Sequence, residues 1–191
     1  EADVVLMAVG RTARTEIVED NTIGITYGKR GIEVDENMQT SVPHIYAIGD
    51  VNGLCQLAHA ATFQGRRALN HILGRKDNIR FDLIPSAVFT SPQLASVGLR
   101  EEDVTEHKPL VYKSFYRANG RALSMDADEG FLKIVCNEEG RVLGVHIMGE
   151  QASELIHEAT VLMNLGGTIS QLGDIIHAHP TLSEMYRAAV S

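Results

Sequence analysis

Between residues 87 and 148 the chain writes five short runs rich in β-branched and apolar residues, then switches to a helical period. No other feature constrains the fold as much. The runs fall at 87–90, 94–98, 110–116, 131–135 and 142–148, with Ser91-Pro92 and Glu138-Glu139-Gly140 as turns between neighbours. Residues 151–165 then place Leu155, Ala159, Leu162 and Met163 on one side of a helix, a stripe that serves a core or a subunit contact. Strands followed by helices predict an α+β unit, an antiparallel sheet with flanking helices. A terminal helix is predicted from Pro180 to about Val190.

The first half reads differently. Residues 4–9 form a continuous apolar run stopped by Gly10-Arg11, the pattern of a buried strand in a parallel sheet. Residues 15–34 are turn-rich, and Gly24, Gly28 and Gly31 do not make a Gly-x-Gly-x-x-Gly fingerprint. His44-Ile45-Tyr46-Ala47-Ile48 is a β-rich pentad ending in Gly49-Asp50. A helix is predicted from about Leu57 to Leu73, with Ala61, Leu69, Ile72 and Leu73 at helical spacing and Gly74 as its C-cap. The charged break Arg75-Lys76-Asp77-Asn78 marks a domain boundary near Phe81.

Charge and cysteine usage exclude some functions. A formal charge of −8 argues against nucleic acid or an anionic membrane surface as partner. The 4–9 run is too short to span a bilayer. The two cysteines, Cys55 and Cys136, have no Cys-x-x-Cys or metal spacing, which fits a reducing, cytoplasmic setting. The chain opens Glu1-Ala2-Asp3 without an initiator methionine and is read as a piece of a longer polypeptide.

Chemistry concentrates in His177-Ala178-His179-Pro180-Thr181-Leu182-Ser183-Glu184. Because the residue before a proline is pushed out of the α region, His179 should leave the backbone ahead of the helix and fold back onto its first turn. Glu184 can then accept a hydrogen bond from one ring nitrogen and leave the other free for proton transfer. Two other readings stand beside this. Thr181-x-x-Glu184 also spells a capping box, and His177, His179 and Glu184 are all possible zinc ligands.

The octet, with Thr40-Ser41-Val42-Pro43-His44-Ile45-Tyr46-Ala47-Ile48-Gly49-Asp50 and Leu57-Ala58-His59, closely resembles the dihydrolipoamide dehydrogenases. These are class I pyridine nucleotide-disulfide oxidoreductases. The likeness covers nearly the whole chain but only the C-terminal portion of the family's length. Glutathione reductase-like relatives, the alternative, share His-Pro-Thr-x-x-Glu but typically lack the first histidine and carry a second acid where Met185 stands.

The resemblance implies several expectations. Residues 1–14 would end an NAD-binding domain, 15–80 would be a partial α/β segment completing the FAD site, and 81–191 would be the interface (dimerisation) domain. His179 and Glu184 would be catalytic, and no metal would be bound. Gly49, Asp50, Leu57, Ala58 and His59 would contact FAD, Asp50 through the ribityl chain. A partly buried structural role is the other reading of His59. The parent enzyme would be a homodimer that oxidises dihydrolipoamide on lipoyl domains of 2-oxo acid dehydrogenase complexes and reduces NAD+. The family's redox disulfide and glycine fingerprints lie in regions this chain lacks, so the piece alone is expected to be inactive. Two departures mark local differences. Ala13 and Arg14 stand where the family's Gly-Arg-x-Pro-Asn has proline and asparagine, and Ala60 and Gln64 stand where it has lysine and glutamate.

Overall fold

The five predicted runs form β1 (Ser86–Val88), β2 (Gln93–Gly98), β3 (Leu110–Phe115), β4 (Phe131–Cys136) and β5 (Val142–Gly149). In the computed structural model, which describes residues 2–16 and 23–191, they make one antiparallel sheet of order β1-β2-β5-β4-β3. Register determines which face is apolar. Leu132 lies opposite Ile147, Ile134 opposite Val145, and Ala95 and Val97 opposite the same two β5 residues. The period of two therefore sends all six side chains to one face, and all six are buried.

Helices α3 (Ala152–Asn164) and α5 (Glu184–Val190) cover that face, α3 over β2 and β5, α5 over β3 and β4. The α3 stripe buries Leu155, Ala159 and Met163 as the spacing predicts, together with Ile156, while Leu162 packs at its margin. Fully burying a side chain such as Ile156 stabilises the unit by roughly 1.5–3 kcal/mol. Two buried tyrosines fix the layers. Tyr116 donates its hydroxyl to the Glu150 carbonyl (2.8 Å), and Tyr186 donates to the Leu155 carbonyl (2.7 Å). Gly149, at φ 149°, lets the Tyr116 ring lie against the end of β5; a Cβ there would stand 2.3 Å from ring carbons.

The terminal helix begins at Glu184, not Pro180. Residues 179–183 form bends and turns instead, because Thr181 commits its hydroxyl to the Ala178 carbonyl and the Glu184 carboxylate to its own amide. Two short helices went unpredicted, α2 (Gly120–Ser124) and α4 (Ile169–Gly173). Each is about one turn, too short for a periodic signal, yet α4 carries the Thr168/Gln171 capping box.

The chain divides into two compact units, Glu1–Ile79 and Arg80–Ser191. In the first, α1 (Ala58–Ile72) forms as predicted. Gly74 closes it at φ 64°, with its amide bound to the His71 carbonyl and the Arg75 amide to that of Asn70. After it, Arg67 donates to Asp77 (2.9 Å) and to the Ile79 carbonyl (2.9 Å).

Two expectations fail here. Residues 4–9 form no strand, and Val4, Val5, Leu6, Met7 and Val9 are each at least 80% exposed. A strand exists only through hydrogen bonds to a neighbouring strand, and the described residues supply none for this run. The 44–48 pentad is likewise not a regular strand. It makes one bridge, Gln39 to Tyr46, with Ala47 donating its amide to the Met38 carbonyl. Part of the turn-rich stretch, 17–22, lies outside the described residues.

Candidate functional site

His179 stands on the bend before α5 with its side chain 80% exposed. Its Nδ1 lies 3.0 Å from Glu184 Oε1 and 3.2 Å from Oε2. Ionised, the carboxylate can only accept, so Nδ1 carries the hydrogen and Nε2 keeps its lone pair. Nε2 has no partner among the described residues. The Thr181 amide also donates to Glu184 Oε2, at 2.9 Å. The capping box does not form, because the helix starts at Glu184 with Ser183 as its N-cap and no side-chain cap. Glu184 accepts the Thr181 amide and orients His179 with the same carboxylate, while the Thr181 hydroxyl donates to the Ala178 carbonyl instead of capping the helix. The Thr181 amide first, then the His179 ring, hold the Glu184 carboxyl below its ordinary pKa.

The zinc reading separates into two pairs. His177 turns from His179 to α3, where its Nε2 lies 2.7 Å from Glu158 Oε1. Among the described residues no group of three His, Cys, Asp or Glu is placed to hold a metal.

Sequence reasoning missed three supporting residues. Glu158 is one. Asn119 caps α2 through its Oδ1 and donates its Nδ2 to the Thr181 carbonyl at 3.0 Å. Ser114, buried in β3, donates to the Met185 carbonyl at 2.8 Å. Asn119 lies 62 residues from Thr181 and Ser114 lies 71 residues from Met185, so no local pattern could have found them.

In the first unit, Gly49 and Asp50 open a 3-10 turn, Gly49–Asn52. Gly49 is buried at φ 74°, and its amide donates to Gln64 Oε1 at 2.7 Å. Gln64 Oε1 also accepts from Asn52 Nδ2 at 2.9 Å. Thus Gln64, at the position where the resembling family has glutamate, locks the Gly-Asp turn to α1. Asp50 has a half-exposed carboxylate 3.7 Å from Arg11. Leu57 is the N-cap of α1 without a side-chain cap, and Ala58 and His59 follow, both exposed; His59 is therefore not the partly buried histidine of the other reading. Beside the turn, an open cleft of about 520 Å³ is lined by Arg11, Tyr27, Arg30, Gly31, Leu54 and Gln56 among others. None of the five expected flavin residues lines it.

A five-stranded antiparallel sheet under two helices, ending in a carboxylate-oriented histidine, defines an interface domain of the flavoprotein disulfide reductase type. Residues 84–190 match the family model of the pyridine nucleotide-disulphide oxidoreductase dimerisation domain, and 1–65 match that of pyridine nucleotide-disulphide oxidoreductase itself. The chain belongs to this family. It is 40% identical over 190 residues to a dihydrolipoyl dehydrogenase of Chlamydia muridarum, covering 97% of this chain and 41% of that protein. It is 44% identical over 187 residues to that of Thermus scotoductus, covering 95% and 40%. Among solved structures, LpdA from Mycobacterium tuberculosis superposes with a TM-score of 0.88 at 32% identity, over 97% of this chain and 41% of that one. The flavoprotein disulfide reductase RclA from Escherichia coli superposes at 0.86 and 28% identity, over 96% and 43%. The chain thus spans about two fifths of the length of these relatives.

Proposed function

We propose that this chain is the C-terminal part of a dihydrolipoamide dehydrogenase and carries its acid/base pair, His179 and Glu184. The observation that carries the reading is the 3.0 Å contact of Glu184 with His179 Nδ1, which leaves Nε2 available. Nε2 takes the proton of a dihydrolipoamide thiol, because the thiolate is the effective nucleophile toward a disulfide. Glu184 stabilises the imidazolium formed and returns the ring to the same tautomer when the proton leaves.

The first unit's residues fit a flavin in the same reading. Asp50 is an accepting carboxylate suited to hydroxyls, and Gly49 lets the turn approach α1, where a Cβ would meet Ala61 at 3.2 Å. The uncapped start of α1, with Leu57, Ala58 and His59, favours an electron-rich edge. Bound FAD would relay two electrons to NAD+. The redox disulfide belongs to another part of the parent, since Cys55 and Cys136 are both free thiols. The parent works as a homodimer, lipoyl domains supply the substrate, and a cytoplasmic setting accords with the free thiols. The exposed 4–9 run joins the sheet of an NAD-binding domain.

The test is NAD+ reduction by dihydrolipoamide in the full-length parent. His179→Ala should lower kcat by about 10²–10⁴-fold with FAD and dimer retained, and Glu184→Gln should lower it less. Equal turnover in wild type and His179→Ala would overturn the acid/base role. An inactive wild type that reduces glutathione disulfide would move the chain to the other branch. Turnover by the 191-residue piece alone would refute the expectation that it is inactive.

A further inference from the structure

The first histidine of His-x-His has no task in the scheme above. Its surroundings supply one. From Asp174 to Pro180 every residue is exposed except His177, whose side chain is only 6% exposed. The sole buried side chain of this stretch bonds Glu158, on α3, at 2.7 Å. His177 Nδ1 is buried without a partner, so nothing else fixes the ring through a hydrogen bond. One turn earlier on α3, the Leu155 carbonyl takes the Tyr186 hydroxyl. His177 lies two residues before His179, and Tyr186 two residues after Glu184. The acid/base pair is therefore bracketed by two attachments to a single helix, at positions i and i+3 of one face.

We propose that Glu158 is a positioning residue of the acid/base site. Its carboxylate accepts the His177 Nε2 hydrogen and so pins the otherwise exposed 174–180 stretch to α3, setting where His179 stands before Glu184 orients its ring. Downstream, Asn119 and Ser114 hold Thr181 and Met185; upstream of His179, the Thr181 hydroxyl holds Ala178 within the same turn, and Glu158 is the side chain that ties the stretch to another element. The consequence for catalysis rests on the proposed acid/base role of His179, whereas the pinning does not.

Two measurements separate them. Amide hydrogen exchange in the 191-residue chain reads the pinning. Glu158→Ala should speed exchange of the hydrogen-bonded amides that flank the pinned stretch, Ile175 and Thr181, by about tenfold, the loss of one hydrogen bond to a charged group, while β4 and β5 stay protected. Glu158→Gln, which keeps an accepting oxygen, should restore most of the protection. In the parent, Glu158→Ala should lower kcat for dihydrolipoamide by a similar factor with KM changed less than about twofold, and Glu158→Gln should recover it. The double variant with His177→Ala should be no worse than either single one. Unchanged exchange at Ile175 and Thr181 in Glu158→Ala would overturn the proposal, as would loss of β4 and β5 protection in both Glu158 variants. If exchange responds as expected but the wild-type parent lacks dihydrolipoamide turnover, the pinning stands and the assigned reaction falls.

Discussion

Gln64 reaches from the middle of α1 to accept the Gly49 amide hydrogen at 2.7 Å, and by doing so joins the only full helix of the first unit's described residues to the turn that carries Asp50. Its oxygen takes a second donor, Asn52 Nδ2, and the side chain is 1% exposed. Water cannot replace either bond.

Gln64→Leu keeps the volume and removes the acceptor, leaving a buried amide unpaired. The first unit should lose about 1–3 kcal/mol, read as a fall in urea midpoint. Gln64→Glu, which keeps an acceptor, should lose less at neutral pH, and an equal loss in both would show that the hydrogen bond is not what matters.

Glu184 predicts an acid dependence. Its folded pKa lies below its ordinary value of about 4.3, chiefly because the Thr181 amide donates to it and then because His179 does. A carboxyl whose folded pKa is depressed contributes stability that is present above the unfolded pKa and is lost as pH falls through the lower folded value. The stability gap between wild type and Glu184→Gln should therefore be present at pH 5 and close below about 4, as the carboxylate takes its proton. A gap that persists undiminished at pH 3 would contradict this geometry.

The two thiols should behave differently. Cys136 is fully buried in β4, and burial pushes its thiol up to about 11. Cys55 is partly exposed, and its thiol is also raised, first by burial. At pH 8, Ellman's reagent should modify Cys55 in the native protein and Cys136 only in denaturant. Because the Cys136 pKa is raised on folding, its contribution is complete below the unfolded value of about 8.5 and is lost as pH climbs toward the folded one.

Gly149→Ala should be among the most damaging single changes in the second unit. The backbone is at φ 149° and the new Cβ would collide with the Tyr116 ring at 2.3 Å. Strain and overpacking together predict a loss of about 2–4 kcal/mol, measured by thermal unfolding. The variant Gly149→Ala/Tyr116→Leu should recover part of it.

The strands at 94–98, 110–116, 131–135 and 142–148 were legible to within a residue or so, because each keeps a β-rich run between turn residues. α1 and α3 were legible because each is long enough to show its period. The first strand was displaced, since Phe89 and Thr90 belong to the turn before Pro92. The 4–9 run was read correctly as apolar but wrongly as a strand here, because pairing is a property of neighbours and not of the run itself.

The sequence by itself determined the α+β succession, the apolar faces, and the pairing of His179 with Glu184, because periodicity, proline geometry and a five-residue spacing act locally. Only the tertiary structure decided that Glu184 holds the Thr181 amide and the His179 ring with one carboxylate, that His177 turns to Glu158, and that Asn119 and Gln64 hold the backbone beside the candidate residues. Each of these rests on groups brought together across 12 to 62 residues by the packing of helices on sheet and turn or on competition for one acceptor. A linear pattern specifies which groups can bond, and the packed fold selects which of them do.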